Sequence, residues 1–511
     1  FLKVESSDSG VITFESPCVD GYNDDYTYAE LYTGAPVLID GLSFTSEDAI
    51  KVLYVVELCD VTLRKIKVTG NDLQTGMFLS NLCDAHLYDC FIEGVTNTTR
   101  RYGVQVWSSQ GVYTYGLSVY CHGHAVTHSG SLPCRKVVHN NATIVGHTGA
   151  VDLHAGAEDI HVNDSEIVGG CTLYGRSATF TNCKIKHNLS PVGDTLLNEV
   201  VRIRPDGPGE DFVFRGCDIS TANLSSWDAQ TLSGETGYLD TIDQFDAISV
   251  RLGFYSGSIK RLNIEDCRIS AFRYPFHLYP DGGYPFGDFN VDYINITNSY
   301  LASEHVCAIR LESIGDGEPQ IKRMSVDNSV VTSAGEEDWT GVNDELGTPI
   351  DTRLVLIQTG TSGGSLDNLV FNGCDCSLSN TSHANTGSSY LIRYVNNVRI
   401  ENSIFEGGGH IALKNLSTLH VRGNTFKDFG EYGGLRLTES IPAAMNLVST
   451  DNTLVNCTGD WNNGTSIGVY RTAAETNTNT NTPSGATAHQ FPLYDEDGTL
   501  LGYIPVYGSA W

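Results

Sequence analysis

Two neighbouring segments of the chain concentrate side chains that can transfer protons. They read HGHAVTHSG, ending at Gly130, and GHTGAVDLHAGAED, ending at Asp159. A carboxylate beside an imidazole can fix the tautomer of the ring and tune its pKa for general acid–base catalysis. The spacing therefore predicts a catalytic group, and its members are His128, Asp152, His154 and Glu158.

Two reaction classes remain open for these residues. A polysaccharide lyase needs a base and a cation that neutralises the uronate carboxylate, and His154 or His128 with Arg202 or Arg204 would serve. A glycosidase instead needs a pair of carboxylates. The candidates for that pair are Asp152, Glu158, Asp206, Asp211 and Asp246.

The histidine-rich spacing also raises the question of a metal site. Asp152 and His154 are two residues apart, which puts both on one face of a strand. Nothing else in the two segments completes a ligand set of the kind that zinc needs. We therefore predict no metal and no cofactor, and a structural cation stays open as an alternative that nothing in the sequence supports.

A series of short segments further along the chain alternates polar with apolar residues, as in VVRIR, AISVRLG, FHLYP and AIRLE. If these segments stack, their polar side chains form a continuous strip. Guanidinium groups pair with carboxylate or sulfate, and aromatic rings can carry a sugar, so the strip is predicted to be a groove for a linear anionic polymer. The predicted substrate-binding residues are Trp107, Arg202, Arg204, Arg251, His277, Tyr279 and Arg310. The alternative is a solvated face on which arginine offsets stacked Asp and Glu.

A recurring phrase defines the elements that must position these side chains. It appears as TFTNCKI ending at Ile185, LNIEDCRI at Ile269, INITNSYL at Leu301 and VRIENSIF at Phe405. The alternation predicts a short strand with one face inward, and the Asn, Asp or Gly after it favours a sharp bend. The small residue after the bend is expected to point inward. Repeats of this kind predict an all-β fold, a single-stranded right-handed parallel β-helix of about a dozen coils.

The organisation along the chain follows from this repeat. Residues 1–45 are predicted to form an N-terminal cap, and residues 46–470 the β-helix. A low-complexity stretch, AAETNTNTNTPSGATA, makes residues 471–488 a polar linker. Two apolar segments around DEDG predict that residues 489–511 form a β-hairpin docking module, which is too small to fold alone.

The cysteines are explained by the same repeat. Of the 14 Cys, five occupy the small position after the bend: Cys90, Cys183, Cys217, Cys267 and Cys374. A stacked ladder of buried thiols is favoured over metal binding or disulfides. Cys121 and Cys134 flank a loop and are the one pair that we consider for a disulfide.

The composition excludes several classes of partner. Against 31 basic residues stand 61 acidic ones, a net charge of −30, which argues against nucleic acid because that partner calls for a basic surface. No run of 18 apolar residues occurs, so no membrane span is predicted. Ten Asn-X-Ser/Thr sites fit an extracellular glycoprotein.

The coil phrases resemble those of pectate-lyase-like β-helix proteins, which include virus tailspikes and tail appendages that degrade host-surface polysaccharide. HAVTHSG, followed after about twenty residues by GAVDLHAGAEDIHVND, is similar to a segment that recurs in phage tail β-helix proteins. The matching positions are His124, Thr127, Asp152, His154 and Glu158.

The resemblance implies an extracellular or virion-surface protein, placed on a virion tail or a cell-surface appendage. It implies a homotrimer, beside other virion or surface-assembly proteins, that binds and depolymerises an acidic cell-surface polysaccharide. Two alternatives stay open. One is a non-catalytic receptor-binding or structural spike on the same fold, and the other is a free secreted polysaccharide lyase or hydrolase.

Overall fold

Short strands separated by bends make up the regular structure. The computed structural model describes residues 4–8, 11–14, 36–47, 51–95, 102–146, 149–187, 199–205, 207–221, 246–252, 257–280, 290–304, 307–312, 320–334, 353–358, 366–379, 390–408, 410–414, 416–429, 435–437, 446–457, 486–494 and 500–509. Within these ranges every element is a strand, and no helix there is long and apolar enough to cross a membrane.

Each coil contributes one strand to each of three parallel sheets, which we call sheets I, II and III in the order in which a coil visits them. The chain is thus a single-stranded right-handed parallel β-helix, and the predicted fold is confirmed. Right-handed connections are the rule between parallel strands because a twisted strand packs back on the sheet only in that sense.

Sheet I contains Ser43–Glu47, Lys67–Asn71, Phe91–Val95, Ser118–Cys121, Thr143–Val145, Glu166–Val168, Lys184–Lys186, Asp218–Ser220, Arg268–Ala271, Tyr300–Ser303, Val330–Ser333, Asp375–Leu378, Ile404–Glu406, Thr425–Lys427 and Thr453–Val455. Sheet II contains Lys51–Val56, Thr75–Ser80, Tyr102–Trp107, His124–Ser129, Gly149–Leu153, Cys171–Leu173, Glu199–Ile203, Asp246–Leu252, Phe276–Pro280, Ile309–Glu312, Val355–Gln358, Tyr390–Arg393, Ile411–Lys414 and Leu435–Leu437. Sheet III contains Val37–Asp40, Cys59–Arg64, Cys83–Tyr88, Gln110–Tyr115, Arg135–Asn140, Glu158–Asn163, Ala178–Thr181, Pro208–Arg215, Ser258–Glu265, Asn290–Thr297, Gln320–Asp327, Leu366–Asn372, Val395–Glu401, Thr418–Arg422 and Asn446–Thr450.

The stack is longer than the sequence pattern indicates. In the described parts of the chain, sheets I and III have 15 strands each and sheet II has 14, more than the predicted dozen coils. The first strand of the stack among the described residues is Val37–Asp40, which lies inside the segment predicted as the cap. Earlier in that segment, Val4–Asp8 pairs antiparallel with Val11–Phe14.

The C-terminal part contains an antiparallel hairpin. Its strands are Ala486–Tyr494 and Leu500–Ser509, so the first three residues of the first strand lie in the predicted linker. The rest of that linker, residues 471–485, lies outside the described residues.

The core is a set of apolar columns that run along the β-helix. Equivalent residues stack in register from coil to coil, as in the column Ile264, Ile296, Val326 and Phe371 of sheet III. All four are buried. Because side chains alternate between the two faces of a strand, this register fixes which residues face outward.

The cysteines follow the predicted pattern. Cys90, Cys183, Cys217, Cys267 and Cys374 are buried free thiols. Each Sγ lies within hydrogen-bond distance of the carbonyl two residues earlier in the chain. Burial raises the pKa of Cys374 to about 11, which makes its thiol unreactive. Cys121 and Cys134 are also free, so the disulfide that was considered for them is not formed.

Candidate functional site

The outer face of sheet II carries two rows of polar side chains, which together we call the strip. The first row contains Gln105, Thr127, Asp152, Thr172, Arg202, Ser249, His277 and Arg310, paired in register from coil to coil. The second row, two residues further along each strand, contains Trp107, Ser129, His154, Tyr174, Arg204, Arg251 and Tyr279. All seven predicted substrate-binding residues therefore lie on this face of the sheet, where His277, Tyr279 and Arg310 are buried.

Of the predicted catalytic group, Asp152 and His154 lie on the strip and His128 does not, so the structure separates His128 from them. His128 pairs in register with Val106 and Leu153, so its side chain points into the core, where it is fully buried. His128 Nε2 lies 3.0 Å from His139 Nε2, and His139 Nδ1 lies 2.9 Å from Thr114 Oγ1. Burial lowers the pKa of His128 to about 4 and that of His139 well below its ordinary value. A buried neutral imidazole cannot act on a substrate outside the β-helix.

Asp152 and His154 form the most accessible titratable group of the strip. Asp152 is buried, and its Oδ2 lies 2.8 Å from His154 Nε2 and 3.6 Å from His124 Nδ1. The side chains of His154 and His124 are 46% and 31% exposed. Burial alone would raise the pKa of Asp152, but the contact with His154 and the charge of His124 hold it below its usual value. The same contact raises the pKa of His154.

Glu158 lies apart from this group. It begins the sheet III strand that follows Asp152 and His154, and both of its carboxylate oxygens are engaged by arginines. Arg135 Nε lies 2.5 Å from Oε1, and Arg176 Nη1 lies 2.8 Å from Oε2. Glu158 therefore belongs to an ion-pair chain at the edge of sheet III. It is not a partner of His154.

A buried glutamate that the sequence does not single out organises the arginines of the strip. Glu199 is fully buried and accepts hydrogen bonds from Arg202 Nε at 3.0 Å and Arg251 Nε at 2.7 Å. The hydroxyl of Tyr279 donates to the same carboxylate at 3.3 Å. Burial would raise the pKa of Glu199, but Arg202 and Arg251 keep it below its ordinary value. Glu199 thus holds two predicted substrate-binding arginines in place.

Asp246 pairs in register with Glu199 on the next coil and holds a different residue of the strip, His277. It is fully buried, and it accepts a hydrogen bond from Arg273 Nε at 2.9 Å while lying 2.7 Å from His277 Nδ1. Burial would raise the pKa of Asp246, but the charges of Arg273 and His277 keep it lowered. Asp246 is among the carboxylates that the sequence analysis considers, whereas no local pattern marks Glu199, because its partners Arg251 and Tyr279 lie on other coils.

Aromatic rings extend the strip towards the N-terminal coils. The ring centroids of Tyr54 and Phe78 are 5.2 Å apart, and those of Phe78 and Trp107 are 6.4 Å apart. Lys51 Nζ lies 3.6 Å from the Phe78 centroid, and Tyr54 is 55% exposed. Adjacent rings of this kind offer apolar faces on which sugar rings can stack.

A metal site and a glycosidase carboxylate pair are the two other kinds of site that the sequence raises. Among the described residues no group of three or more His, Cys, Asp or Glu is arranged to hold a metal ion. Of the predicted glycosidase carboxylates, Asp152, Glu158, Asp211 and Asp246 each contact a basic side chain. Asp206 lies outside the described residues. The pKa values of Asp152 and Asp246 are lowered, so these two carboxylates stay ionised, whereas a general acid must hold a proton.

Comparison with known proteins gives a partial family match and similarities to solved structures. A family model described as the right-handed β-helix region matches residues 363–495. A search of curated proteins finds none that matches this sequence.

Three tailspike structures are similar to this chain. Tailspike protein gp49 from Pseudomonas phage LKA1 is 14% identical, with 96% of this chain and 59% of that chain covered and a TM-score of 0.42. Tailspike gp61 of Pseudomonas phage phi297 is 14% identical, with 96% and 60% covered and a TM-score of 0.35. Gp54 tailspike of Acinetobacter baumannii bacteriophage AP22, solved with A. baumannii capsular saccharide, is 12% identical, with 79% and 47% covered and a TM-score of 0.27. This chain thus spans about three fifths of the length of the first two.

Proposed function

We propose that the strip binds an acidic polysaccharide and cleaves it by β-elimination, with His154 as the base. The observation that carries this proposal is the contact between His154 and the buried carboxylate of Asp152, at 2.8 Å, on an otherwise arginine- and tyrosine-rich face. His154 is half exposed, and its pKa is raised by that contact. A base for proton abstraction works best when its pKa lies near the operating pH.

The second row supplies the other groups that an elimination needs. Tyr174 and Arg204 follow His154 on the next two coils, so the three side chains span two strand spacings, roughly 9.5 Å. The Arg204 guanidinium lies 5.6 Å from the centre of the Tyr174 ring. Arg204 would neutralise the uronate carboxylate, which makes the proton on the neighbouring carbon more acidic.

The bond changes then balance without a cofactor. His154 takes the proton from C5 of the uronate, the C4–C5 double bond forms, and the C4–O bond to the leaving sugar breaks. The leaving oxygen takes a proton from the hydroxyl of Tyr174. Tyr174 also interacts with Arg202, and a nearby cation stabilises the phenolate that this transfer leaves.

The test is cleavage of a panel of uronate-containing, sulfated and capsular polysaccharides. Elimination creates a conjugated double bond that absorbs in the near ultraviolet, whereas hydrolysis gives new reducing ends without it. We expect the native chain to produce the absorbance on at least one uronate polymer. Removing a general base costs on the order of 100-fold or more, so His154→Gln should lose the signal.

His161 provides a matched control. It is another exposed histidine beside an aspartate, with Nε2 2.7 Å from Asp159 Oδ1, but it lies on sheet III. His161→Gln should keep full activity. New reducing ends without the ultraviolet absorbance would show that the reaction is hydrolysis and not elimination. Retained binding with no product on any polymer would favour the non-catalytic spike.

We also propose that the chain works outside the cell as a homotrimeric tail appendage of a virion. The support is the resemblance of the segment from His124 to Glu158 to phage tail proteins, together with the C-terminal hairpin Ala486–Tyr494 and Leu500–Ser509. A two-stranded hairpin is marginally stable by itself, so it needs a surface on which to pack, and a neighbouring copy would supply one.

A further inference from the structure

A second polar groove lies on the outer face of sheet III, away from the strip. Its floor is one register column over five coils: Tyr293, Arg323, Asn368, Asn397 and Thr418. Arg399 and His420 line it from the neighbouring column. The upper four coils border a shallow, open groove of about 360 Å³.

The amide side chains of this groove are held in fixed positions. Asn368 Nδ2 donates to the backbone carbonyl of Lys322 at 3.1 Å. Asn397 Nδ2 donates to the carbonyl of Asp367 at 3.1 Å and contacts Asn368 Oδ1 at 3.3 Å. An amide oriented by its own donors presents acceptor and donor atoms to a ligand without a further loss of side-chain freedom. Such preorganised amides suit the hydroxyl groups of a sugar.

Arg323 distinguishes the groove from an ordinary solvated face. Its neighbours are neutralised, since Lys322 contacts Asp292, Arg261 contacts Asp211, and Arg399 contacts Glu401. Arg323 is exposed and makes no ion pair with any side chain in the described parts of the chain. A guanidinium left open on a chain of net charge −30 is available to bind a carboxylate or sulfate in bidentate fashion.

Tyr293 completes the set at the lower end of the column. It pairs in register with Arg323 and is 42% exposed, so part of its ring is open to a ligand one strand spacing from the guanidinium. An aromatic face beside a cation and a row of amides is the combination that an acidic oligosaccharide requires.

We propose that this groove is a second, non-catalytic binding site for an acidic oligosaccharide. Arg323 binds the acidic group, Tyr293 stacks on a sugar ring, and Asn368 and Asn397 bond hydroxyl groups. Because the groove and the strip lie on different sheets, a polymer could be held on sheet III while another segment of it is processed on sheet II. The binding site does not depend on the elimination chemistry proposed for the strip.

The test measures binding of fluorescently labelled, size-fractionated oligosaccharides of a uronate polymer and of a sulfated polymer to the full chain. We expect Arg323→Ala and Tyr293→Ala each to weaken binding of one of these probes about tenfold. The matched controls are Arg215→Ala, at a 54% exposed arginine on the same sheet face, and Tyr300→Ala, at an exposed tyrosine on sheet I. Neither should change the affinity.

Three outcomes would overturn the site. Equal effects of Arg323→Ala and Arg215→Ala would show nonspecific charge attraction. If no probe binds to the His154→Gln chain, in which cleavage cannot consume the probe, the proposed ligand is wrong. A changed sedimentation mass for Arg323→Ala would identify the face as a contact between subunits. If His154→Gln loses cleavage but keeps the binding that depends on Arg323, this site is separate from the chemistry of the strip.

Discussion

At the scale of single residues, the contact between Asp152 and His154 sets the pH at which the proposed base works. A base must be neutral, so the rate rises as the pH passes upward through the pKa of His154, which the carboxylate raises. Asp152→Asn removes that carboxylate and lowers the pKa of His154. We therefore expect the acid limb of the kcat/KM profile to move to lower pH in Asp152→Asn, with a maximal rate reduced about tenfold or more because the ring loses its orientation.

The control for this profile is Asp159→Asn, which removes the carboxylate partner of His161 on sheet III. Asp159→Asn should leave both the acid limb of the kcat/KM profile and the maximal rate unchanged. An acid limb that stays in place in Asp152→Asn would show that another group, rather than His154, is the base.

The buried pair His128 and His139 is expected to make the fold sensitive to acid. The carbonyl of Asp152, 3.3 Å from His128 Nδ1, can only accept, so His128 donates there and its Nε2 accepts from His139. Both rings are then neutral. The pKa of His128 is about 4 in the folded chain and about 6.5 in the unfolded chain. The stability that the neutral, buried ring contributes is therefore complete above about pH 6.5 and is lost as the pH falls towards 4. Lowering the pH from about 7 to 5 should reduce the unfolding free energy by on the order of 2 kcal/mol through His128 alone.

Urea unfolding at these two pH values checks this expectation. The variant Thr114→Val/His128→Leu/His139→Val replaces the hydrogen-bonded chain with apolar residues like their register neighbours Val106 and Val162. Its unfolding midpoint should depend less on pH, whereas the exposed-site variant His161→Gln should behave like the native chain. Equal pH dependence of the triple variant and the native chain would contradict the assignment.

At the scale of the elements, the bend between sheets III and I explains why small residues recur there. Asn298 and Asn328 adopt positive φ angles of 50° and 49°, which asparagine tolerates better than most residues. The next residues form an inward ladder, in which the backbone N–H of Ser299 donates to Ser329 Oγ at 3.1 Å. Ser329 Oγ in turn donates to the carbonyl of Asp327 at 2.9 Å. The small side chain therefore satisfies buried backbone groups as well as fitting the space.

This ladder predicts the effect of changing Ser329. Ser329→Ala leaves the buried N–H of Ser299 without an acceptor and should lower the unfolding free energy by about 1–3 kcal/mol. Ser329→Cys should cost less, because Cys267 already accepts from the N–H of Cys217 in the same way, at 3.4 Å. Equilibrium denaturation compares the two variants. Equal losses would mean that the ladder contributes through packing alone.

The elements also show where sequence pattern stops being informative. The phrase with alternation, bend and small residue identifies sheets III and I directly, because both flank the bend. Sheet II is recognisable by alternation alone, and there the strand His124–Ser129 misleads. Thr127 and His128 are adjacent polar residues, and only the pairing with Val106 and Leu153 decides that Thr127 faces outward and His128 inward.

At the scale of the whole molecule, the proposed assembly predicts the mass of the particle in solution. Light scattering after size exclusion should give three times the mass of one chain for the full protein. Deleting residues 486–509, the hairpin, should reduce the trimer while the far-ultraviolet circular dichroism of the β-helix persists, since the coils supply their own core. A full-length chain that is monomeric at micromolar concentration would contradict the homotrimer.

The amino-acid sequence by itself determined the parallel β-helix, the inward cysteines and the common face of the seven predicted substrate-binding residues. These features repeat locally, within single coils, so pattern alone reveals them. Only the tertiary structure decided which polar groups meet. Glu199 bonds Arg251 and Tyr279, 52 and 80 residues away in the chain. Coils of unequal length bring such residues together, and no spacing in the sequence encodes that juxtaposition. The same register buried His128 and moved Glu158 away from His154.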